Sequence, residues 1–198
     1  MTMKVSLTRA DLVAALGELI TELRARGETG GIRIVGGAAL ALSYFDRDVT
    51  QDIDAINARG VSNETVASAV RAVAQRLDFN ENWLNFEVAQ ADALPTLGRE
   101  VEWKAIYTSP DITLHVASAE ALLVMKLRAN RPGRDVPDIR RLLSLCGITE
   151  NEHVQGLYES FYPGDVMPDR AIQIVTSIFA EVPPINVTSP PPPEFPGI

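Results

Sequence analysis

Residues 33–56 narrow the possible folds more than any other part of the chain. An apolar, strand-like run ends in Gly36 and Gly37, a short segment rich in Ala and Leu follows, and the chain then reaches Asp52 and Asp54. Residues two positions apart on a strand face the same side of a sheet, so we expect both carboxylates on one face. The pattern therefore predicts a strand, a glycine corner, a short helix and a second strand, in that order.

This segment also carries the residue types that bind phosphate and metal. Gly36 and Gly37 have no side chain, so their backbone amides can approach a ligand closely. The helix that begins there adds unpaired N–H groups and a partial positive charge, and the combination favours phosphate. Asp52 and Asp54 repel each other, and a divalent cation relieves that repulsion. Taken alone, the glycines also fit a tight turn and the acids a solvated edge strand, but together they are the parts that phosphoryl or nucleotidyl transfer needs.

The remaining sequence predicts a mixture of strands and helices, with the helices concentrated late in the chain. From Ser118, a suitable N-cap, to about Glu181 the chain reads as short helices separated by Gly and Pro. This order predicts an α+β fold with a small mixed β-sheet flanked by helices, followed by a C-terminal helical region. The earlier elements predicted are helices over residues 8–26, 38–45 and 64–77 and strands over residues 32–35, 52–57, 83–89, 101–107 and 111–116.

We expect three regions along the chain. One domain spans residues 1–147, a helical extension packed on it spans 148–182, and a proline-rich flexible tail spans 183–198. The segment that begins at Val182 holds seven of the thirteen prolines, which exclude a helix or a central strand. Such a tail could also serve as a ligand for another domain, as in an antitoxin-like or structural partner protein.

Composition and charge exclude several classes of protein. Apolar residues make up 46% of the 198 residues, enough for a core, and the net charge of −8 disfavours general binding to nucleic acid or anionic membranes. No apolar run reaches the roughly 18 residues that a membrane span needs. One cysteine, Cys146, excludes an internal disulfide, and the absence of a signal-peptide pattern favours a cytoplasmic location.

Two stretches resemble a known superfamily. Residues 35–54, "VGGAALALSYFDRDVTQDID", resemble the signature of the DNA polymerase β-type nucleotidyltransferases, which is a glycine pair, a spacer and Asp-hydrophobic-Asp. Residues 114–143, "LHVASAEALLVMKLRANRPGRDVPDIRRLL", and the stretch "WLNFEVAQADALP" are similar to a bacterial subgroup that includes the AbiEii- and MenT-like toxins and the DUF6036 nucleotidyltransferases. The resemblance covers roughly residues 30–147.

The resemblance implies a nucleotidyltransferase fold and a metal-dependent transfer of a nucleoside monophosphate from an NTP to an acceptor hydroxyl. Gly36 and Gly37 would bind the triphosphate. Asp52 and Asp54 would be catalytic and would hold Mg²⁺ or, alternatively, Mn²⁺. The acceptor implied by the toxin relatives is a tRNA 3′ end or a protein side chain, and an antitoxin would be a further partner.

The later helical segment contributes further candidates by the same resemblance. Lys126 and Arg134 would bind nucleotide phosphate, and Asp135 would act in or beside the catalytic site. Asp135 and Arg134 also have structural alternatives. Asp135 could cap the helix that follows it, and Arg134 could form an ion pair with Asp138 four residues later.

Two departures from the family pattern leave an alternative open. Many relatives have serine where this chain has Gly37, and a third carboxylate has no clean match. Glu87 is the first candidate for that carboxylate, and His115 occupies the other candidate position. If neither supplies a ligand, the chain is expected to be a catalytically lapsed relative that binds a nucleotide or a partner protein.

Overall fold

The computed structural model describes residues 6–47, 49–58, 60–89, 93–131, 133–181 and 185–195 of the chain. The chain forms two compact units. Unit 1 consists of Met1–Gln90, Trp103–Val116 and Ser189–Ile198, and unit 2 of Ala91–Glu102 and Ala117–Thr188. The three regions expected from the sequence remain predictions.

Unit 1 is built on a five-stranded mixed sheet. The order of its strands is β3-β2-β1-β5-β4. Strand β1 is antiparallel to β2 and parallel to β5, and β3 is parallel to β2. The elements are α1 (Arg9–Ala25), β1 (Gly30–Ile34), α2 (Gly36–Ser43), β2 (Ile53–Ala58), α3 (Asn63–Leu77), β3 (Leu84–Asn85), a 3-10 turn (Glu87–Ala89), β4 (Trp103–Thr108) and β5 (Ile112–Ala117).

Side-chain alternation gives the central strands one apolar and one polar face. Helix α1 packs against α2 and α3, and α2 packs against β2. The alternate positions of the strands, which include Arg33, Asp54 and His115, lie on the opposite face. The apolar face is formed by the buried side chains of Ile32 and Ile34 on β1, Ile53 and Ala55 on β2, and Leu114 and Val116 on β5.

The ends of the helices follow from local capping. Thr8 caps α1 in a capping box, because its hydroxyl accepts from the Asp11 amide and its own amide donates to Asp11 Oδ2 at 2.8 Å. Ser62 caps α3 with a single side-chain hydrogen bond, which its hydroxyl accepts from the Thr65 amide at 3.0 Å. These caps explain why the helix boundaries lie close to those predicted.

Unit 2 consists mainly of helices, which are α4 (Ala119–Ala129), α5 (Val136–Leu145), α6 (Asn151–Phe161) and α7 (Asp169–Glu181). Helix α4 packs against α5 and α6, and α7 packs against both of those helices. Ser118 caps α4, as predicted. The N-cap of α6 is Glu150, whose side chain makes no cap hydrogen bond.

The predicted α+β class, with a small mixed sheet flanked by helices and followed by helices, is confirmed. One strand differs from its prediction: of residues 83–89, only Leu84–Asn85 form a strand. Within the described ranges, every helix is too short or too polar to cross a membrane.

The described residues 189–195 of the proline-rich segment have no helix or strand and pack within unit 1. Arg9 Nη2 donates to the Pro191 carbonyl oxygen at 2.6 Å, and Pro193 is buried. The ring of Phe195 packs edge-to-face on Tyr107, with the ring centroids 5.5 Å apart. The predicted flexibility of residues 183–198 stays a prediction, and residues 183–184 and 196–198 lie outside the described part.

Candidate functional site

The corner between β1 and α2 brings Gly36 into contact with Asp54. Gly36 has a φ angle of +65°, which residues with a side chain rarely adopt. The Val35 amide donates to the backbone oxygen of Asp54 at 2.9 Å and so ties the corner to β2. A Cβ atom on residue 36 would lie only 2.6 Å from Asp54 Oδ2. Glycine is therefore required here by both backbone conformation and space.

The two predicted metal-binding acids lie beside this corner. Asp52 immediately precedes β2, Asp54 is the second residue of β2, and both side chains are half-buried. Ile53, between them, is fully buried in the core. Because successive side chains alternate along an extended chain, Asp52 and Asp54 both point away from that core. The structure thus brings Gly36, Asp52 and Asp54 together.

Asn85 is the third side chain at the acid pair. Its Nδ2 donates to Asp52 Oδ2 at 3.0 Å, and in the sheet register Asn85 pairs directly with Asp54. Its Oδ1 accepts from the Glu87 amide at 3.1 Å, which fixes the orientation of the side-chain amide. Asn85 was not predicted as a site residue, because nothing in the sequence gives the register of a two-residue strand.

The two candidates for a third ligand, Glu87 and His115, also belong to unit 1. Glu87 begins the 3-10 turn and is exposed. His115 lies on β5 and pairs with Arg33 on β1. Burial, and secondarily the charge of Arg33, lowers the pKa of His115, and within the described residues its Nδ1 has no hydrogen-bond partner. Across the described ranges, no three His, Cys, Asp or Glu side chains are grouped to hold a metal, and the role of Glu87 stays a prediction.

Asp52 and Asp54 have the ligand chemistry that a Mg²⁺ ion requires. Mg²⁺ prefers oxygen ligands and is often held by one or two carboxylates, with water and substrate phosphates as its other ligands. Asp52 and Asp54 offer such carboxylates on one face, and Gly36, which lies against Asp54, carries no side chain. A cation held by the two carboxylates would need further oxygen ligands, such as water or a phosphate group.

Gly37, the second glycine of the corner, contacts two polar side chains. A Cβ atom on residue 37 would lie 2.6 Å from Arg47 Nη1 and 2.9 Å from Thr50 Oγ1. Arg47 Nη1 also donates to the Val49 carbonyl oxygen at 2.8 Å, and the Thr50 hydroxyl donates to the Asp52 carbonyl oxygen at 3.2 Å. Arg47 and Thr50 lie in the spacer between the two motifs and were not predicted as site residues.

In unit 2, Lys126 and Asp135 form a buried ionic cluster with Asp138. Lys126 Nζ is 2.6 Å from Asp135 Oδ1 and 3.0 Å from Asp138 Oδ2, and the three side chains are at most 6% exposed. Asp135 Oδ2 also accepts from the Arg131 amide at 2.9 Å. Burial raises the pKa of Asp135, but the hydrogen bond and charge of Lys126 outweigh this and lower it overall.

This cluster joins α4 to α5 within unit 2. Asp135 is the N-cap residue of α5, yet its side chain makes no cap hydrogen bond because it is directed at Lys126 and Arg131. Arg134, the remaining predicted phosphate ligand, is exposed. The assignments of Lys126, Arg134 and Asp135 to nucleotide binding and catalysis stay predictions.

Comparisons with known proteins place the chain in a family. No curated protein and no solved structure matches it. A family model described as a nucleotidyltransferase of unknown function, DUF6036, matches residues 11–175. This range includes the glycine corner, the acid pair and the Lys126 cluster. The chain belongs to the DUF6036 family of nucleotidyltransferases, whose function is unknown.

Proposed function

We propose that this protein is a Mg²⁺-dependent enzyme that transfers a nucleoside monophosphate from an NTP to an acceptor hydroxyl. The observation that carries the proposal is the direct approach of Asp54 Oδ2 to Gly36. It puts a carboxylate that can hold a cation next to backbone that can approach a polyphosphate, and family membership supports the same chemistry. Mn²⁺ is the alternative cation.

Each residue of the site has a defined task in this proposal. The amides at the start of α2 would hold the triphosphate, because the first N–H groups of a helix have no partner within it. Asp52 and Asp54 would hold the cation, and Asn85 would keep the Asp52 carboxylate in place. Mg²⁺, when bound, supplies charge neutralisation on the phosphates and lowers the pKa of the attacking hydroxyl.

The transfer balances without a further reactant. The acceptor hydroxyl loses its proton, its oxygen bonds to the α-phosphorus, the bond between the α- and β-phosphates breaks, and pyrophosphate leaves. We propose a tRNA 3′ end or a protein side chain as the acceptor, with an antitoxin as a further partner of a toxin-like enzyme. The net charge of −8 favours a small RNA contact over an extended one.

Position-specific labelling tests the reaction. The protein is incubated with Mg²⁺, total cellular RNA or protein, and an NTP labelled either at the α- or at the γ-phosphate. We expect the α-label on the acceptor and the γ-label in pyrophosphate. Transfer of the γ-label would show phosphoryl transfer instead, and activity that survives Asp52→Asn with Asp54→Asn would remove the acids from the reaction.

A second candidate function is nucleotide binding without catalysis. It is favoured by the lack of a three-carboxylate group in the described part of unit 1, since a weaker metal site would bind nucleotide yet transfer nothing. NTP binding without label transfer to any acceptor tested would support this reading. Transfer of the α-label would exclude it.

A further inference from the structure

We infer that unit 1 carries a binding site for proline-rich peptides, and that residues 189–195 of the chain occupy this site in cis. The sequence suggested that the segment is a ligand for another domain, whereas its contacts lie within unit 1. The pattern that the site recognises is Pro-x-x-Pro-x-Phe, from Pro190 to Phe195. The inference goes beyond the proposed function and does not depend on it, because neither Asp52 nor Asp54 takes part.

The segment has the burial pattern of a polyproline II helix that rests on one side. Pro190 is half-buried and Pro193 is buried, whereas the two prolines between them are exposed. A polyproline II helix has three residues per turn, so positions 190 and 193 lie on the same side. The four consecutive prolines also restrict the unbound segment, so that little conformational entropy is lost when it binds.

Arg9 supplies the hydrogen bond that a proline-rich ligand needs. Proline has no N–H, so the carbonyl oxygen is the only backbone group through which Pro191 can form a hydrogen bond. Arg9 Nη2 donates to that oxygen at 2.6 Å. The same guanidinium donates to the carbonyl oxygens of Ala41 at 3.1 Å and Leu42 at 3.4 Å. These carbonyl groups lie in the last turn of α2, where they have no partner within the helix, so α2 holds the donor in position.

Tyr107 supplies the aromatic contact. The ring of Phe195 packs on it edge-to-face, an arrangement that aromatic pairs prefer, with the ring centroids 5.5 Å apart. Arg24 fixes the orientation of Tyr107, because its Nη2 donates to the tyrosine hydroxyl at 2.6 Å and its Cζ lies 5.7 Å from the ring centroid. Arg24 is itself held by Asp111, whose Oδ2 lies 2.9 Å from Arg24 Nε.

Parts of unit 1 other than the segment therefore hold both contact residues in place. Arg9 is fixed by α2, and Tyr107 is fixed by Arg24 of α1. A restricted ligand and an ordered surface lose little conformational entropy on binding, which favours recognition of a short peptide. The site thus offers a donor for a proline carbonyl and a ring for the aromatic residue four positions later.

Proteolysis with Glu-C, which cleaves after glutamate, tests the occupancy in the full chain. Cleavage between Glu194 and Phe195 is followed by intact mass, and the free peptide of residues 186–198 is the unprotected reference. The cleavage rate tracks the fraction of chains in which the segment has left its site. We expect the native chain to be protected and Arg9→Gln to be cleaved at least about fivefold faster, because it loses a charge-assisted hydrogen bond. Arg71→Gln, on the exposed side of α3, is the matched control.

Peptide binding tests the site itself. The fluorescence anisotropy of a labelled peptide of residues 186–198 is measured with the native chain and with the full-length variant Pro193→Asp with Phe195→Ala, whose own segment no longer fits. We expect the variant to bind the peptide at least about tenfold more tightly than the native chain does, because a segment attached in cis competes at a high effective concentration. A peptide with the same two substitutions is the control, and we expect it not to bind.

The inference is overturned if the native chain is cleaved as fast as the free peptide, or if Arg9→Gln and Arg71→Gln are cleaved equally fast. Equal affinity of the two peptides for the full-length variant would also overturn it. Protection that rises with protein concentration would overturn the cis arrangement, because the segment of a second copy would then occupy the site. None of these measurements uses a nucleotide, so their outcome is separate from that of the proposed function.

Discussion

Two pairs of aspartates in this molecule lie in opposite environments. Asp135 and Asp138 of unit 2 are buried around the ammonium group of Lys126. Asp52 and Asp54 of unit 1 are half-buried, Asp52 receives a neutral amide donor from Asn85, and Asp54 lies against Gly36. The first pair surrounds an ammonium group of the chain, whereas Asp54 of the second pair lies against a residue that carries no side chain.

From this difference we propose that the first pair is structural and that the second pair binds a ligand. A buried charge must be paired, and removal of its partner is expensive. A half-exposed pair beside a glycine corner can instead take a cation and a phosphate from solution. We therefore expect changes at the Lys126 cluster to act mainly on folding stability, and changes at the Asp52 site to act mainly on ligand binding and activity.

The largest expected effect is that of Lys126→Met on stability. The substitution keeps much of the side-chain volume but leaves Asp135 and Asp138 buried without their cation. We expect a loss of about 3–5 kcal/mol in the free energy of unfolding, as when one member of a buried ion pair is removed. Urea unfolding monitored by circular dichroism measures this loss.

Arg134→Met is the matched control, because Arg134 is exposed in the same connecting segment. We expect it to change stability by less than about 0.5 kcal/mol. A Lys126→Met protein that is as stable as the native one but fails to bind NTP would contradict the structural role given to the Lys126 cluster. It would place Lys126 among the nucleotide ligands, as the family resemblance implies.

A smaller effect is expected from Asn85→Ala on the unit 1 site. Loss of the Nδ2 donor frees the Asp52 carboxylate, and loss of such a supporting contact typically costs about 10–100-fold in metal affinity or activity. Metal titration in the presence of NTP measures the effect, with Asn82→Ala, an exposed neighbour, as control. Equal affinities in the two variants would show that Asp52 does not depend on Asn85.

The smallest effect concerns the pH dependence of stability. The pKa of Asp135 is lowered from its ordinary value of 3.8 in the folded state. The cluster therefore contributes its full stability above pH 3.8 and loses it as the pH falls through the folded-state pKa. We expect unfolding free energies to fall more steeply below pH 3.8 in the native protein than in Asp135→Asn. Parallel pH profiles would contradict the ionised state of Asp135.

The sequence predicted the part of the site that depends on local order. Gly36, Asp52 and Asp54 follow one another through a strand, a short helix and a strand, and antiparallel pairing of β1 with β2 brings the ends of this segment together. Asn85 depends on the pairing of β3 with β2, which lies beyond any local pattern. Its hydrogen bond to the Glu87 amide also explains why the predicted strand over 83–89 ends at Asn85.

The ion-pair partner of Asp138 also lies beyond what a local sequence pattern can predict. Spacing along one helix suggested Arg134 as its partner, a rule that applies to exposed helix surfaces. Asp138 is instead buried and lies 3.0 Å from Lys126 on a different helix. The contacts of Arg47 and Thr50 with Gly37 could not be predicted either, because they depend on how the spacer folds back on α2.

We propose above all that Asp52 and Asp54 hold a cation that links the protein to a polyphosphate. The most direct test is calorimetric titration of NTP with Mg²⁺ and with EDTA, on the native protein and on Asp52→Asn with Asp54→Asn. Asparagine has nearly the same shape as aspartate and therefore still fits against Gly36. The control is Asp78→Asn, because Asp78 has a left-handed backbone conformation that asparagine also adopts. We predict that NTP binding depends on Mg²⁺, that the double variant loses it and that the control keeps it. NTP binding that is equal with and without Mg²⁺, or unchanged in the double variant, would contradict a cation held by Asp52 and Asp54.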